Sequence, residues 1–434
     1  MNLLKKIKTG LPAIICSLFL SLTGCSGNAP TPESENGVQA FPIASSEAEP
    51  SPEEMPLQEL PLQEIPPQEA SPQEVSLQEL PLQELSLQEA PAHILQTEDG
   101  RLLMLGENAA LLDCKTLEIV EKNNNLRLDF SFHNFRTCKL TCLENEYIVL
   151  GQLLTLQKVG DGMFSSSEEP QLKLVRLGKT LEVLEVIDVD KLLGNNSVIN
   201  NYELIDNGTK LLYDSGAGFF SYDMETKEHT TLITPANTTV KEVRLSSLLS
   251  FGYLSEKKQI FFTSFYDDGI HSDSMRTIGS VMPDGTGLNY EKEETHFWGN
   301  VWCFDKFALI EDGDFHESGE KANVFYYDTN GDIHVYPLAD EYTSIQPSDK
   351  GQYFAVQSKT WGADNSCTGY VIRIYSSDSG QPIQEISCPF SEIGQNTVIA
   401  NCVICEDTNR ILMLMYDRET KTNARFKIME MKIG

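Results

Sequence analysis

The feature that most constrains the fold is a unit of four predicted strands that recurs through residues 92–434. In the clearest copy, the strands are predicted at 343–347, 352–358, 369–375 and 381–387. Tight turns rich in Ser, Asp and Gly join the first strand to the second and the third to the fourth. A longer loop joins the second strand to the third. This pattern predicts a four-stranded antiparallel sheet.

Six further copies of the unit follow the same order of strands. Their first strands are predicted at 94–96, 138–143, 198–205, 249–254, 301–304 and 398–405. Seven units in 343 residues give 49 residues for each unit. The last unit has no fourth strand of its own, so we expect it to borrow one from near His93.

Four-stranded units of about 40–50 residues resemble the blades of a β-propeller of the WD40, YVTN or TolB-like kind. The resemblance covers all of 92–434 and is architectural, because no Gly-His and Trp-Asp signature marks a subfamily. It implies an all-β fold, a β-propeller with seven four-stranded blades, and leaves six or eight blades open. An array of β-sandwiches is the structural alternative.

The loops between second and third strands are long in several units. They are predicted at 153–171, 265–275, 312–322, 360–368 and 417–424. In a propeller, all these loops lie on one face of the disc, and binding residues collect on loops that a rigid scaffold holds. We therefore expect the binding surface of this protein on that face.

Acidic residues and histidines gather in two of these loops, on neighbouring units. The candidate residues are Asp267, Asp268 and His271 in the fourth unit and Asp312, Asp314 and His316 in the fifth. Carboxylate and imidazole groups bind hard cations or act as a paired acid and base. The alternative is that both loops are simply solvated loops of an acidic protein. In the sixth unit, Trp361 and Asp364 suggest an aromatic platform for a sugar or a peptide.

We expect no cofactor, with calcium at the acidic loops as the one possibility left open. The chain has no phosphate-binding glycine loop, zinc-protease motif or nucleophile elbow. The segment that starts at Asp328 is not an EF-hand, because Ile333 and Ala339 stand where Gly and Glu are needed. Its Asn330-Gly331 pair instead predicts a hairpin turn.

Eight of the ten cysteines lie in 92–434. The pairs Cys138/Cys142 and Cys402/Cys405 have the spacing of metal ligands but occur within apolar strand patterns. Two residues three apart on a strand point to opposite faces, so Cys402 and Cys405 are not expected to share a ligand. We expect buried free thiols. Export would permit disulfides, and the sequence assigns no pair.

Seven pentads precede these units, from Met55 to Glu89, each ending in Gln-Glu. Neither a helix nor a strand places an odd period of five on one face. Recurrent proline and an unopposed Glu in every pentad predict a disordered, extended stalk over 25–91, with a short helix around 75–80 as the local exception. We interpret the stalk as a spacer. The alternative is that its segments bind in an aromatic groove of a partner protein.

The first 24 residues carry Lys5, Lys6 and Lys8 and then an apolar stretch, as a secretory signal does. The following Leu22-Thr23-Gly24-Cys25 resembles a bacterial lipoprotein signal. The resemblance implies cleavage before Cys25, diacylglycerol on its thiol and acylation of the new amino terminus, which together anchor a protein to a membrane. An ordinary cleaved signal with a coincidental cysteine is the alternative.

The net charge is −31, and residues 26–91 hold 13 Glu without Lys, Arg or Asp. Such acidity excludes non-specific binding to nucleic acid and charge-driven coating of anionic lipid. We expect an extracytoplasmic, lipid-anchored protein of the cell envelope, in the outer membrane if the cell has two membranes. Its partner is expected to be a protein or a glycan. A propeller lyase or hydrolase and a scaffold subunit of an envelope complex are the alternatives, because a fold alone does not define a function.

Overall fold

The computed structural model describes residues 78–81, 90–160, 163–166, 169–194, 199–215, 218–234, 239–240, 243–267, 275–294, 300–311, 323–328, 330, 332–338, 343–363, 366–419 and 424–431. Within these ranges, seven antiparallel sheets of at least four strands form the blades of a β-propeller. The predicted fold class and the predicted count of seven blades are confirmed. The signal segment, Cys25 and the stalk up to residue 77 lie outside the described residues.

In blades 1 to 3, the strands follow the order predicted from the sequence. The first strand along the chain, β1 (Gln78–Pro81), belongs to blade 7. Blade 1 comprises β2 (His93–Gln96), β3 (Arg101–Leu105), β4 (Ala109–Asp113) and β5 (Ile119–Asn123). Blade 2 comprises β6 (Phe135–Cys142), β7 (Glu146–Leu153), an inserted hairpin of β8 (Leu156–Gly160) and β9 (Met163–Ser166), then β10 (Gln171–Gly178) and β11 (Val183–Asp188). Blade 3 comprises β12 (Ile199–Ile205), β13 (Lys210–Ser215), β14 (Gly218–Asp223) and β15 (His229–Ile233).

The remaining four blades repeat the order. Blade 4 comprises a short extra strand β16 (Thr239–Val240), then β17 (Val243–Leu254), β18 (Gln259–Asp267), β19 (Met275–Val281) and β20 (Asn289–Glu294). Blade 5 comprises β21 (Val301–Cys303), β22 (Ala308–Glu311), β23 (Asn323–Tyr327) and β24 (Ile333–Pro337). Blade 6 comprises β25 (Ser344–Pro347), β26 (Tyr353–Trp361), β27 (Cys367–Ser376) and β28 (Pro382–Pro389). Blade 7 comprises β29 (Thr397–Cys405), β30 (Arg410–Asp417) and β31 (Arg425–Glu430), with β1 as its outer strand.

Within the part of the chain that the structure describes, four short helical segments lie at the ends of strands. They are α1 (Val189–Leu193), α2 (Phe390–Ile393) and two 3-10 turns, Phe132–Asn134 and Glu406–Thr408. The Asp188 side chain caps α1 by accepting a hydrogen bond from the Lys191 amide, and Gly194 ends the helix at a φ of 60°. Both features are common at helix termini, because they satisfy backbone groups that the helix leaves unpaired.

Each blade packs face to face on the next, which is why its middle strands are buried on both sides. In β30, five consecutive residues from Ile411 to Met415 are buried. Seven hydrophobic clusters occur within the described residues, and each joins two neighbouring blades. One of them joins blade 7 to blade 1 through Leu412 and Phe426 on one side and Leu102 and Leu112 on the other. The ring therefore closes, and a closed ring is the usual way in which a propeller protects its sheets.

The outer strand of blade 7 corrects two expectations from the sequence. It comes from Gln78–Pro81, inside the pentad repeat, and not from near His93, which begins the inner strand of blade 1. The helix expected around 75–80 is also wrong over Gln78–Leu80, because these residues pair with β31 as a strand. The free edge of β31 supplies the backbone partners that the repeat lacks by itself, so tertiary pairing decides its structure.

Candidate functional site

The binding face predicted from the sequence is defined by the ends of the second strands, and we call it the upper face. Second strands of three consecutive blades end on it at Asp267, Glu311 and Trp361. The backbone of Asp267 pairs with that of Arg244 at the end of blade 4. The other candidates, Asp268, His271, Asp312, Asp314, His316 and Asp364, lie outside the described residues. The structure therefore places the strand ends that carry the predicted loops on one face.

Trp361 is the exposed aromatic residue of this face. Its residue surface is 56% exposed, and it lies at the end of β26, where the backbone pairs with β27 alone because β25 pairs only as far as Gln357. The Lys359 Nζ atom lies 5.9 Å from the centre of the indole ring, within the range of a cation–π contact. Its backbone pairs with that of Cys367 across a local irregularity in the ladder. The arrangement presents a flat aromatic surface and a positive charge side by side at the end of one strand.

Glu311 is a buried carboxylate that the sequence analysis did not select. It is 5% exposed, and its Oε2 atom accepts hydrogen bonds from the backbone amide and the side-chain amide of Asn300, at 3.2 and 2.8 Å. These bonds tie the connection that enters blade 5 to the end of β22. A charged residue at the end of the apolar run Ala308–Ile310 was the available signal. Its role on this face is to position the backbone.

Asp214 in blade 3 is a second buried carboxyl that sequence reasoning missed. It stands one residue before the upper end of β13, opposite Asn201 of β12, and is 7% exposed. Burial raises the pKa of the Asp214 carboxyl to about 7, although hydrogen bonds from the side chains of Asn201 and Asn200 lower it. A carboxyl with such a pKa exchanges its proton near neutral pH, which is a property of acid–base residues. The signal in the sequence was an Asp within the buried strand Lys210–Ser215.

The opposite, lower face carries a shallow groove of about 460 Å³ between blades 3 and 4. Asp206, Asp223, Asp284 and Tyr253 contribute to its lining. The Asp206 carboxylate is bound by Lys210 at 2.9 Å and lies 3.4 Å from the Tyr253 hydroxyl. Asp223 and Asp284 accept backbone amides of their own turns, from Thr226 and Thr286. These three carboxylates serve local structure, so the groove offers less to a ligand than its acidic composition indicates.

The cysteines are buried less completely than the sequence predicted, because four of the eight are partly exposed: Cys138, Cys142, Cys303 and Cys367. All eight in 92–434 are free thiols. Cys402 faces the cluster between blades 6 and 7, whereas Cys405 faces the cluster between blades 7 and 1. Burial raises the pKa of the Cys138 and Cys402 thiols, the latter to about 12, so neither is a ready metal ligand.

Two general features concern the part of the chain with described coordinates. No group of three or more His, Cys, Asp or Glu side chains there is arranged to hold a metal ion. The acidic loops for which calcium was considered are mostly outside it, so the calcium hypothesis stays a prediction. None of the helices described is long and apolar enough to cross a membrane.

Comparison with known proteins gives structural neighbours only. No protein-family model matches the sequence, and no curated protein matches it. Among solved structures, 730 chains match the fold. One is the β-propeller domain of Cps50 (Swd1) from Myceliophteria thermophila, with 10% identity and a TM-score of 0.49, covering 83% of this chain and all of that one. Another is a eukaryotic initiation factor, with 8% identity and a TM-score of 0.42, covering 79% of this chain and 86% of that one.

Proposed function

We propose that this protein is a lipid-anchored β-propeller of the cell envelope that binds a protein or glycan partner through its upper face. The observation that carries the proposal is the exposed indole of Trp361 beside Lys359 at the end of β26. Tryptophan is enriched among the residues that dominate binding energy, because it buries a large area with little loss of conformational entropy.

The lipid anchor rests on the sequence of the first 25 residues. A replacement of Cys25 by Ser is expected to abolish incorporation of a labelled fatty acid and to release the chain from membranes. A replacement at the neighbouring residue, Ser26→Ala, is the control and is expected to keep the label. Unchanged labelling of Cys25→Ser would mean that the signal is an ordinary cleaved one, and the proposal of an anchor would fail.

Binding through the upper face is tested with Trp361→Ala in the full-length chain. Val335→Ala is the control, because Val335 is also 50% exposed but lies on the outer strand of blade 5. The complex with the envelope partner is detected as a higher-mass band after chemical cross-linking. We expect Trp361→Ala to lose this band and Val335→Ala to keep it. Digestion of the complex with proteases or with glycosidases then distinguishes a protein partner from a glycan. Several different proteins retained together would indicate a scaffold subunit of an envelope complex.

A propeller lyase or hydrolase is the second candidate, and Asp214 is the observation that favours it. Its pKa of about 7 suits a general base near neutral pH. Envelope polysaccharides incubated with the chain would then gain reducing ends, and Asp214→Asn would abolish the gain. If the wild-type chain produces no new ends over hours, the enzyme hypothesis fails and the binding hypothesis is unaffected.

A further inference from the structure

The outer strand of blade 7 is held by contacts that a repeated sequence can supply more than once. Its residues pair in register with β31, from Gln78 opposite Ile428 to Pro81 opposite Arg425. Leu80 packs against the hydrophobic cluster between blades 7 and 1. The Glu79 carboxylate lies 3.5 Å from the Arg425 guanidinium. Backbone pairing, one apolar residue and one acidic residue therefore define the site that β31 offers.

The sequence of the eight residues Leu57–Glu64 is identical to that of Leu77–Glu84. If Gln58–Pro61 occupied the same register, Leu60 would take the position of Leu80 and Glu59 that of Glu79. A shift that is not a whole number of pentads removes the acidic residue from the position of Glu79, even where it leaves a leucine against the cluster, as Leu82 would be after a shift of two residues. The exchange is therefore stepwise, because only a shift by whole pentads restores the apolar contact and the acidic contact together.

We propose that the edge of β31 is a strand-acceptor site for the pentads, and that Gln58–Pro61 is the alternative occupant to Gln78–Pro81. The occupants differ in the length of chain that leads to β2, which is 11 residues from Pro81 and 31 from Pro61. Loop-closure entropy grows with the logarithm of this length, so it favours Gln78–Pro81 by about five-fold. The nearer copy is the main occupant, and the farther copy replaces it when the nearer one is removed or pulled away.

Exchange would change the length of the stalk in a defined step. Occupation by Gln58–Pro61 transfers 20 residues from the free stalk to the segment that leads into blade 1. At ~3.1 Å per residue for an extended chain, the reach of the stalk shortens by roughly 60 Å. This consequence alone rests on the proposed lipid anchor, whereas the exchange of strands does not.

The test uses the full-length chain with Ile65→Ser, Val75→Ser and Leu85→Ser as a common background. In this background Leu60 and Leu80 are the remaining large apolar residues that directly follow Gln-Glu within the pentads. Leu80→Asp, Leu60→Asp and the double variant are then compared by hydrogen–deuterium exchange. The reporters are the amides of Arg425–Glu430, and those of Tyr353–Trp361 in blade 6 serve as the internal reference.

We expect Leu60→Asp alone to leave the exchange of β31 unchanged. Leu80→Asp is expected to raise it about five-fold, because Gln58–Pro61 then fills the edge at the cost of a longer loop. The double variant is expected to raise it about a hundred-fold, since every pentad that restores the contact with Arg425 then places a charge, a hydroxyl or only an alanine methyl group against the apolar cluster. Exchange in blade 6 stays constant throughout.

Two outcomes would overturn the proposal. If Leu60→Asp is silent in the Leu80→Asp background as well, Gln58–Pro61 does not use the site. Protection of β31 in Leu80→Asp that rises with protein concentration overturns it too, because a second copy of the chain would then supply the strand. Neither result affects the proposed binding function of the upper face.

Discussion

The Cys114 and Cys405 sulfur atoms lie 2.8 Å apart in the interface that closes the ring between blades 1 and 7. Both residues are fully buried, at 0% and 1% exposure. Arg410 ties the same interface with hydrogen bonds from its Nη1 atom to the carbonyl oxygens of Cys114 and Lys115, at 2.7 and 2.6 Å. The two ends of the propeller domain thus meet at a pair of thiols that need little movement to become a disulfide.

We predict that refolding in oxidised glutathione links Cys114 to Cys405. Each exchange forms the protein S–S bond and releases two molecules of glutathione thiol, so two protein hydrogens are lost. Contact with Cys114 and burial raise the pKa of the Cys405 thiol, so the folded protein reacts slowly and the bond forms during folding. The bridge should raise the free energy of unfolding by about 2–4 kcal/mol, measured by denaturant titration with and without reductant.

Cys402→Ala is the control for this prediction, because Cys402 is equally buried on the same strand but faces blade 6. It should keep the difference between oxidised and reduced protein, whereas Cys114→Ala should lose it. A peptide map in which Cys114 and Cys405 both remain alkylatable after oxidative refolding would contradict the prediction.

Asp214 predicts a pH dependence of stability that is unusual for a carboxyl. Its pKa in the folded state, about 7, lies above the ordinary value of about 3.9, so the folded protein binds more protons between these values. The stabilising effect of the protonated form is complete below pH 4 and is lost as the pH rises to 7. Asp214→Asn should therefore be more stable than the wild type at pH 8 by on the order of 3 kcal/mol, with a smaller difference at pH 5.

The matched control is Asp223→Asn on the lower face. Backbone hydrogen bonds lower the pKa of the Asp223 carboxyl, and the bond from the Thr226 amide has the largest effect. The Asp223 carboxyl is therefore already ionised at pH 5. Its effect on stability should be the same at pH 5 and pH 8. Urea titrations at both values measure the two differences. An Asp214→Asn effect that does not change with pH would show that the carboxyl is already ionised at pH 5.

The stability of the protein is predicted to depend strongly on the size of the side chain at position 380. Gly380 has a φ of +63°, and a Cβ atom there would collide with the ring of Tyr336 from blade 5. The Tyr336 hydroxyl donates a hydrogen bond of 2.9 Å to the Ser377 carbonyl of the same turn, so the ring has little freedom to move. Gly380→Ala should destabilise the protein by about 3–4 kcal/mol, from backbone strain and overpacking together.

Gly194→Ala separates these two causes. Gly194 has a similar φ of +60°, but a Cβ atom there meets no described atom within 4 Å. It should cost only about 1 kcal/mol, because backbone strain alone remains. Thermal melts of both variants provide the comparison. Equal losses would mean that Tyr336 does not confine the turn.

The sequence was sufficient to predict the blades because each strand is bounded by local signals. In blade 6, strands were predicted at 369–375 and 381–387, and the structure has Cys367–Ser376 and Pro382–Pro389. Gly380 supplies the positive φ that the turn between them needs. By contrast, β17 extends to Val243, six residues before its predicted start, because irregularities after Leu245 and Leu248 interrupt the alternation of polar and apolar residues.

What the sequence could not predict depends on contacts between distant residues. The segment Gln78–Pro81 of the repeat carries Glu and Pro and looks unlike a strand, and only the free edge of β31 makes it one. Cys114 and Cys405 are 291 residues apart, and their contact follows from closure of the ring. At the candidate site, the exposed Trp361 was selected from its loop position, whereas Asp214 and Glu311 were hidden within strands that are almost wholly buried.

The most direct test of the central claim is site-specific photo-cross-linking in intact cells, with a photoreactive phenylalanine analogue at position 361. The same analogue at position 284, in an exposed turn of the lower face, is the control. Binding through the upper face predicts a covalent adduct of higher mass at 361 and none at 284. An adduct at 284 alone, or none at either position, would contradict it.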